Sequence, residues 1–448
     1  MDASDGAGAQ LPARDGRAHT DWRPGGDLTP LEEEMVAGAA AGGLVDRGEG
    51  PFNLAEMRAW AAERTVRAAV LRYLLLAGQW PLDEKGVRLR GVRISGHLDL
   101  EAAVLRCPLS LDCCYLDAAD PVCLDFATAS RVTLAGCHLA GLTGEMLTAR
   151  ELDLSRSTFT GPLRLLVADI TGQLNCRGVW LAGQDSEGNA LNADRLKAGA
   201  VYLSEGFTSP GGAVRLLGAD ITGPLICRGA KLNGGDSVGN ALGADGLKAD
   251  GVYLDEGFTA TGAVRLAGAH ITGQLSCRGA QLIGADHEDN ALIADRLKAD
   301  GGVFLDEGFT AAGAVRLLGA AIPGQLSCRG AQLTGCDGDG NALIADWLKA
   351  AGGVFLGEGF TAAGAVRLVG ADIIGHLDCR GARLTGRDGE GNALIANGMK
   401  ADTDVFLDEA FTDAGTVRLV GADITGALSC RGAQLTGCDS DGNALIAD

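Results

Sequence analysis

The chain repeats itself. Gly161, Gly212, Gly262, Gly313, Gly364 and Gly415 each open a near-copy of one unit, at intervals of 51, 50, 51, 51 and 51 residues. A period held that closely marks a stacked array, in which each unit buries its apolar side on its neighbours because it cannot do so alone. A finer rhythm runs inside each unit. Apolar residues come in pairs two apart: Val214/Leu216, Ala219/Ile221, Leu225/Cys227, Ala230/Leu232, then after a loop Leu242/Ala244, Leu247/Ala249 and Val252/Leu254. That spacing puts both members on one side of a strand. The next pair follows about five or six residues later, too soon for an ordinary strand and out of step with a helix. Very short strands with tight corners describe a chain wound into a square coil. Seven pairs, with Phe258 as a less regular eighth side, make two four-sided coils plus one insertion loop, Gly234 to Asn240. The prediction is an all-β solenoid, a right-handed quadrilateral parallel β-helix with an α-helical N-terminal cap. A leucine-rich horseshoe would need an L-x-x-L-x-L pattern with Asn or Cys, which is absent.

The pairs begin upstream of the array, from Val87/Leu89 to Cys114/Leu116, and resume at Val132/Leu134 after an irregular stretch. The expected division is a disordered tail over 1–28, an α-helical cap over 29–85, irregular coils over 86–160 and six units of about 51 residues over 161–448, the last incomplete. At roughly 22 to 25 residues per coil this gives about 14 to 15 coils and a rod about 70 Å long. Thr29-Pro30-Leu31-Glu32 reads as a capping box with proline at the first helical position. Asn53-Leu54-Ala55-Glu56 reads as the start of a second helix of about 24 residues, with Met57, Trp60, Val70, Leu71, Leu74 and Leu75 on one face and Gly78 as its stop. Asp448 aligns with Asp295 and Asp346, halfway through a unit, so no C-terminal cap is expected, and an open strand edge there suits a homodimer through the uncapped coil.

Composition bounds the chemistry. Hydrophobic residues make up 46% of the 448 but aromatics only 4%, so the expected core filling is Ala, Val, Leu, Ile and Cys. A net charge of −20 disfavours direct contact with nucleic-acid phosphates or an anionic lipid surface. No apolar run reaches bilayer length, so no transmembrane segment is expected, although the Arg64–Leu76 stretch offers a peripheral membrane contact. Without a signal peptide, and with thirteen cysteines but no C-x-x-C pair, a reducing compartment is expected, cytoplasmic or peripheral at the inner face of the membrane.

Ala168-Asp169-Ile170, Ala219-Asp220-Ile221, Ala230-Lys231-Leu232, Ala371-Asp372-Ile373 and Ala422-Asp423-Ile424 resemble the A-[DN]-L-x-x unit of bacterial pentapeptide-repeat proteins. In that family the small and the central apolar residues both point into a quadrilateral right-handed β-helix. The stretches Arg64 to Leu76 and Gly86 to Ile94 resemble a set of bacterial proteins, common in actinobacteria, that are labelled membrane-associated oxidoreductases. Some pentapeptide-repeat proteins are acidic dimers that imitate duplex DNA and bind DNA gyrase. The resemblance therefore implies two alternatives, a gyrase regulator serving drug resistance or self-protection, and a membrane-associated oxidoreductase.

The residues themselves point to binding. The six histidines recur at no repeat position, and no Walker loop, H-E-x-x-H or strand-to-helix G-x-G-x-x-G occurs, so no catalytic residue and no cofactor is expected. Cys176, Cys227, Cys277, Cys328, Cys379 and Cys430 recur in L-x-C-R-G, two coils apart, too far for disulfides and best read as small inward apolar residues. Cys336 and Cys438 fall in loops and are the more exposed thiols. Asp337, Asp339 and Asn341, with Asp439, Asp441 and Asn443, are candidate calcium ligands, since alternating carboxylates wrap a hard cation; Asp, Gly and Asn are equally ordinary turn formers. Arg177, Arg228, Arg278, Arg329, Arg380 and Arg431 form an outward file. An acidic file runs through Glu205, Asp255, Glu256, Asp306, Glu307, Glu358, Asp408 and Glu409. These are the candidate contacts for a protein partner. The expected role is a non-catalytic scaffold presenting an acidic repetitive face, with DNA gyrase as one candidate partner.

Overall fold

The computed structural model describes residues 26–48, 50, 52–439 and 441–447. The tail expected over 1–28 and the stop at Asp448 fall largely or wholly outside them. From Val87 onward the described chain is an all-β solenoid of parallel strands. One double coil shows the plan. Ala213–Arg215, Asp220–Ile221, Pro224–Ile226 and Lys231–Leu232 form four walls, here numbered I to IV, and Asn240–Gly243, Lys248–Ala249, Gly251–Tyr253 and Thr259–Ala260 lie on the same four walls one coil later. The register is direct: Val214 pairs with Leu242, Leu225 with Val252, and Leu232 with Ala260. Wall I is one continuous 14-stranded sheet, and walls II and III together form a 25-stranded one.

Coils alternate in length because of one insertion. From Val214 to its partner Leu242 the chain takes 28 residues, and from Leu242 to its partner Val264 it takes 22. The long coil carries the loop between walls IV and I, where the sequence places it. The eighth side is Thr259–Ala260 rather than Phe258, which turns the corner before it and is fully buried. That corner corrects the expected core composition. Phe159, Phe207, Phe258, Phe309, Phe360 and Phe411 are the largest fully buried side chains, the last five two coils apart. A four-sided tube with Ala and Val on its walls leaves space at the corner that a single ring per double coil fills.

The expected second helix is broken up. It becomes α2 (Leu54–Arg58), a 3-10 turn (Ala62–Arg64), a strand (Thr65–Arg67) and α3 (Ala68–Leu76), after α1 (Pro30–Ala41). The strand pairs with Arg93–Ser95, setting Val66 beside Ile94. Satisfying that sheet edge of the first coil outweighs helix propensity in a segment opened by β-branched Thr65 and Val66. Leu71, Leu74 and Leu75 of α3 then bury against the coil.

The capping box at α1 serves two ends. Glu32 accepts from the Thr29 backbone at 2.9 Å, and also from the Arg67 backbone at 3.0 Å and the Arg67 Nε at 2.8 Å, while fully buried. Burial pushes the Glu32 carboxyl up, but the hydrogen bonds from Arg67 and Thr29 overcome it and hold it below the usual range. A depressed value in the folded state means this stabilisation is complete above the ordinary glutamate range and is lost as pH falls through the lower folded value. Glu32→Gln is expected to cost about 1.5–3 kcal/mol at neutral pH, from charge-assisted hydrogen bonds lost. It should also flatten the acid limb of stability in urea titrations between pH 7 and 3; an unchanged limb contradicts the contact.

Candidate interaction surfaces

The two charged files of the sequence are one structure. The arginine of each L-x-C-R-G lies at the corner between walls III and IV, against the acidic corner of the next coil. Arg177 Nε is 3.2 Å from Glu205, and Arg228 Nε is 3.0 Å from Asp255 and 3.7 Å from Glu256. Arg278 Nε is 3.1 Å from Asp306 and 3.4 Å from Glu307, and Arg329 Nε is 3.3 Å from Glu358. In the fifth copy Arg380 turns instead to Asp378 at 2.6 Å, and Asp408 accepts from the Arg431 backbone at 2.6 Å. Asp255, Asp306 and Asp408 also hold the next coil by accepting from Ser276, Ser327 and Ser429. Six of the eight predicted partner-binding residues, Glu205, Asp255, Glu256, Asp306, Glu307 and Glu358, thus share their charge with their own arginines, whereas the turn of Arg380 to Asp378 leaves Asp408 and Glu409 outside that pairing.

An aromatic file, not anticipated from the sequence, completes the corner. Arg177 stacks over Tyr202 at 3.8 Å, Arg228 over Tyr253 at 5.0 Å, Arg278 over Phe304 at 4.2 Å, Arg329 over Phe355 at 4.0 Å and Arg380 over Phe406 at 5.0 Å. Stacking covers ring and guanidinium together. The recurring G-V-[YF]-L could have revealed it, since the aromatic falls one residue after an inward valine. Between successive copies lies a groove of about 440 Å³ lined by Arg228, Asp255, Glu256, Gln274, Arg278 and Glu307. Its lining is charged, unlike the mostly apolar clefts that hold organic ligands.

The other walls are close to neutral or basic. On wall II, Lys197, Lys248, Lys298, Lys349 and Lys400 face outward at alternate coils, with Asp220 between Lys197 and Lys248, and His270 between Lys248 and Lys298. The excess of acid is therefore on the insertion loops. Their third positions are exposed: Glu187, which Arg215 pairs at 3.0 Å, and Glu288, Asp339, Glu390 and Asp441. The loops lean on one another along the rod, with His287 N donating to Val238 O at 3.4 Å and Gly389 N to Asp339 O at 3.1 Å. Together they form an acidic ridge between walls IV and I.

The candidate calcium ligands sit in that ridge as turn formers. Asp337 Oδ1 accepts from the Asp339 N at 3.0 Å and the Asn341 N at 2.8 Å, and the Asn341 amide nitrogen donates to both carboxylate oxygens. Asp439 is bound in the same way by Asp441 N and Asn443 N. Each first carboxylate is occupied closing its own loop, and each Asn presents a donor to it, so the geometry does not gather these oxygens around one point. Among the described residues, the group whose ligand atoms approach within 4.8 Å is Asp99, Glu101 and Cys123, in the irregular coils.

The first five cysteines of the ladder are buried and Cys430 is partly so. Burial raises the Cys176, Cys227, Cys277, Cys328 and Cys379 thiols far above their ordinary range, with neighbouring aspartates adding to it. Of the free cysteines, eight are buried, four partly so, and Cys438 is exposed. In native protein, one thiol is expected to react with Ellman's reagent at once and four slowly, with the remaining eight released only by denaturant. Rapid native labelling of Cys277, read by peptide mapping, would contradict the packing.

No protein-family model, curated protein or solved structure matches this chain.

Proposed function

We propose that this chain is a β-helical scaffold whose stacked insertion loops present an acidic ridge to a basic protein partner. The observation that carries the reading is the relocation of charge: the corner acids from Glu205 to Glu358 are matched by arginines, whereas the loop tips at Glu288, Asp339 and Glu390 stand exposed in a row. Neighbouring loops two coils apart stand about 10 Å from one another, comparable with the Debye length in physiological salt, so their potentials add. Within this reading the coil is right-handed, as parallel crossovers almost always are. The helices α1 to α3 act as its N-terminal cap, and the four-walled section supports the resemblance to pentapeptide-repeat proteins.

The test is a reversal of the ridge. Glu288→Lys/Asp339→Lys/Glu390→Lys is expected to release proteins that the wild type retains from a bacterial lysate at 150 mM salt, while Glu256→Gln/Glu307→Gln at the arginine corner retains them. A topoisomerase among the released proteins would make the ridge a nucleic-acid mimic. Equal retention by wild type and ridge variant would refute the reading.

A further inference from the structure

At the corner between walls I and II the chain turns with one residue in the left-handed region, and in the regular array glycine takes that place most often. Gly218, Gly246, Gly268, Gly319, Gly370 and Gly421 have φ between 61° and 69°, with Arg195, Arg296 and Trp347 at the same corner of other coils. In the four consecutive coils before Arg195 no glycine is used either. Ala102, Phe126, Met146 and Val167 hold the position at φ of 52°, 59°, 55° and 56°. The corners stack directly, since Ala102 N donates to Asp125 O, Phe126 N to Glu145 O, Met146 N to Leu166 O and Val167 N to Asp194 O, each at 2.8 Å.

These side chains point away from the core. Phe126 is 53% exposed, Met146 54% and Val167 44%, and Val104 beside them is 68% exposed. Bulky and β-branched residues are disfavoured in left-handed backbone, and each leaves a large apolar surface in water. Both effects oppose folding and both vanish with glycine. An apolar stripe kept against two costs is a binding surface, as contiguous exposed apolar patches generally are.

We infer that this stripe docks an amphipathic α-helix of a partner protein, lying along the rod axis. The steps match: coils follow at about 4.8 Å and helical turns at 5.4 Å, so over the three steps from Ala102 to Val167 the two drift apart by only about 2 Å. Anchors at i, i+3 or i+4, and i+7 would fall on successive coils. Charge selects the flank. The residue preceding each of the first three stripe positions is acidic, Glu101, Asp125 and Glu145, with Asp99 beside Glu101; against these four stand Arg164, 2.6 Å from Glu145, and Arg72, whose Nε donates to the Asp99 carbonyl at 2.7 Å. The helix therefore carries Lys or Arg along that side, and an anionic lipid surface is repelled. The inference stands apart from the acidic loop ridge and does not depend on it.

The experiment is selection of a displayed library of random 16-residue peptides on the full-length protein, with counter-selection on Phe126→Gly/Met146→Gly/Val167→Gly. Enriched peptides are expected to carry apolar residues at helical spacing with a basic flank, to become helical on binding by circular dichroism, and to bind the triple variant at least tenfold more weakly. The triple variant should melt no lower than the wild type, because glycine relieves the backbone. Enrichment that is indifferent to the stripe, enriched peptides with two-residue alternation, stripe-dependent sedimentation with phosphatidylglycerol vesicles, or a lowered melting point would each overturn the inference.

Discussion

Gly335→Ala is expected to be among the most damaging single substitutions in the chain, costing roughly 3 kcal/mol or more. A Cβ on Gly335 would stand 1.9 Å from Ala312 O, 2.3 Å from Ala312 C and 2.8 Å from Gly313 N, all backbone of the coil before it. Backbone in register on two sides cannot move aside. The same collision recurs at Gly284 with Thr261 O at 1.9 Å and at Gly386 with Ala363 O at 1.8 Å, because the insertion loop leaves wall IV there by crossing the preceding corner. Gly338 lies three residues further on, inside the same loop, and a Cβ there meets nothing within 4 Å. Gly338→Ala should stay within about 0.5 kcal/mol of the wild type. Urea unfolding of the two variants, followed by circular dichroism, separates them. Equal midpoints would mean that the coils do not approach as closely as the fold requires. In a stacked array the damage is expected to split the transition, since each unit depends chiefly on its neighbours.

Phe309→Ala is the second large effect, at about 3–5 kcal/mol. The ring is fully buried, and its nearest equivalents, Phe258 and Phe360, are two coils away, so no neighbouring ring is placed to close the cavity. Phe309→Leu, which keeps most of the volume, should cost less than about 1.5 kcal/mol. Phe304 is the internal control. It lies on wall III facing outward under the Arg278 guanidinium, so Phe304→Ala should lose mainly a cation–π contact of about 0.5–1 kcal/mol and the burial shared with it. If Phe304→Ala proved the more destabilising of the two, inward and outward would be misassigned at this corner.

The solenoid was legible because its two periods are local. Pairs such as Val214/Leu216 and Leu225/Cys227 declare a strand side within three residues, and the 51-residue interval declares the stack. The insertion loop was legible for the same reason, as the one break in the rhythm. The phenylalanine corner was harder to read, since one ring per double coil looks like an irregular side in a sequence where aromatics are scarce. The break in the expected N-terminal helix is not legible, because Thr65–Arg67 has helical neighbours on both sides and only the open edge at Arg93–Ser95 draws it into a strand.

The binding surfaces divide along the same line. The arginine and acidic files were each visible as repeating letters, but their pairing joins residues 27 to 29 apart on successive coils, as in Arg228 with Asp255 and Arg278 with Asp306. That distance becomes contact only through the alternation of 28- and 22-residue coils. The apolar stripe is fainter still, since Phe126, Met146 and Val167 are unremarkable letters until their left-handed backbone and their stacking are seen. By itself the sequence determined the coil, its period and its inward residues, because strand alternation and repeat length are properties of neighbours along the chain. The tertiary structure alone decided which charges are matched, which are bare and which apolar side chains face water, because those depend on what the next coil places about 4.8 Å away.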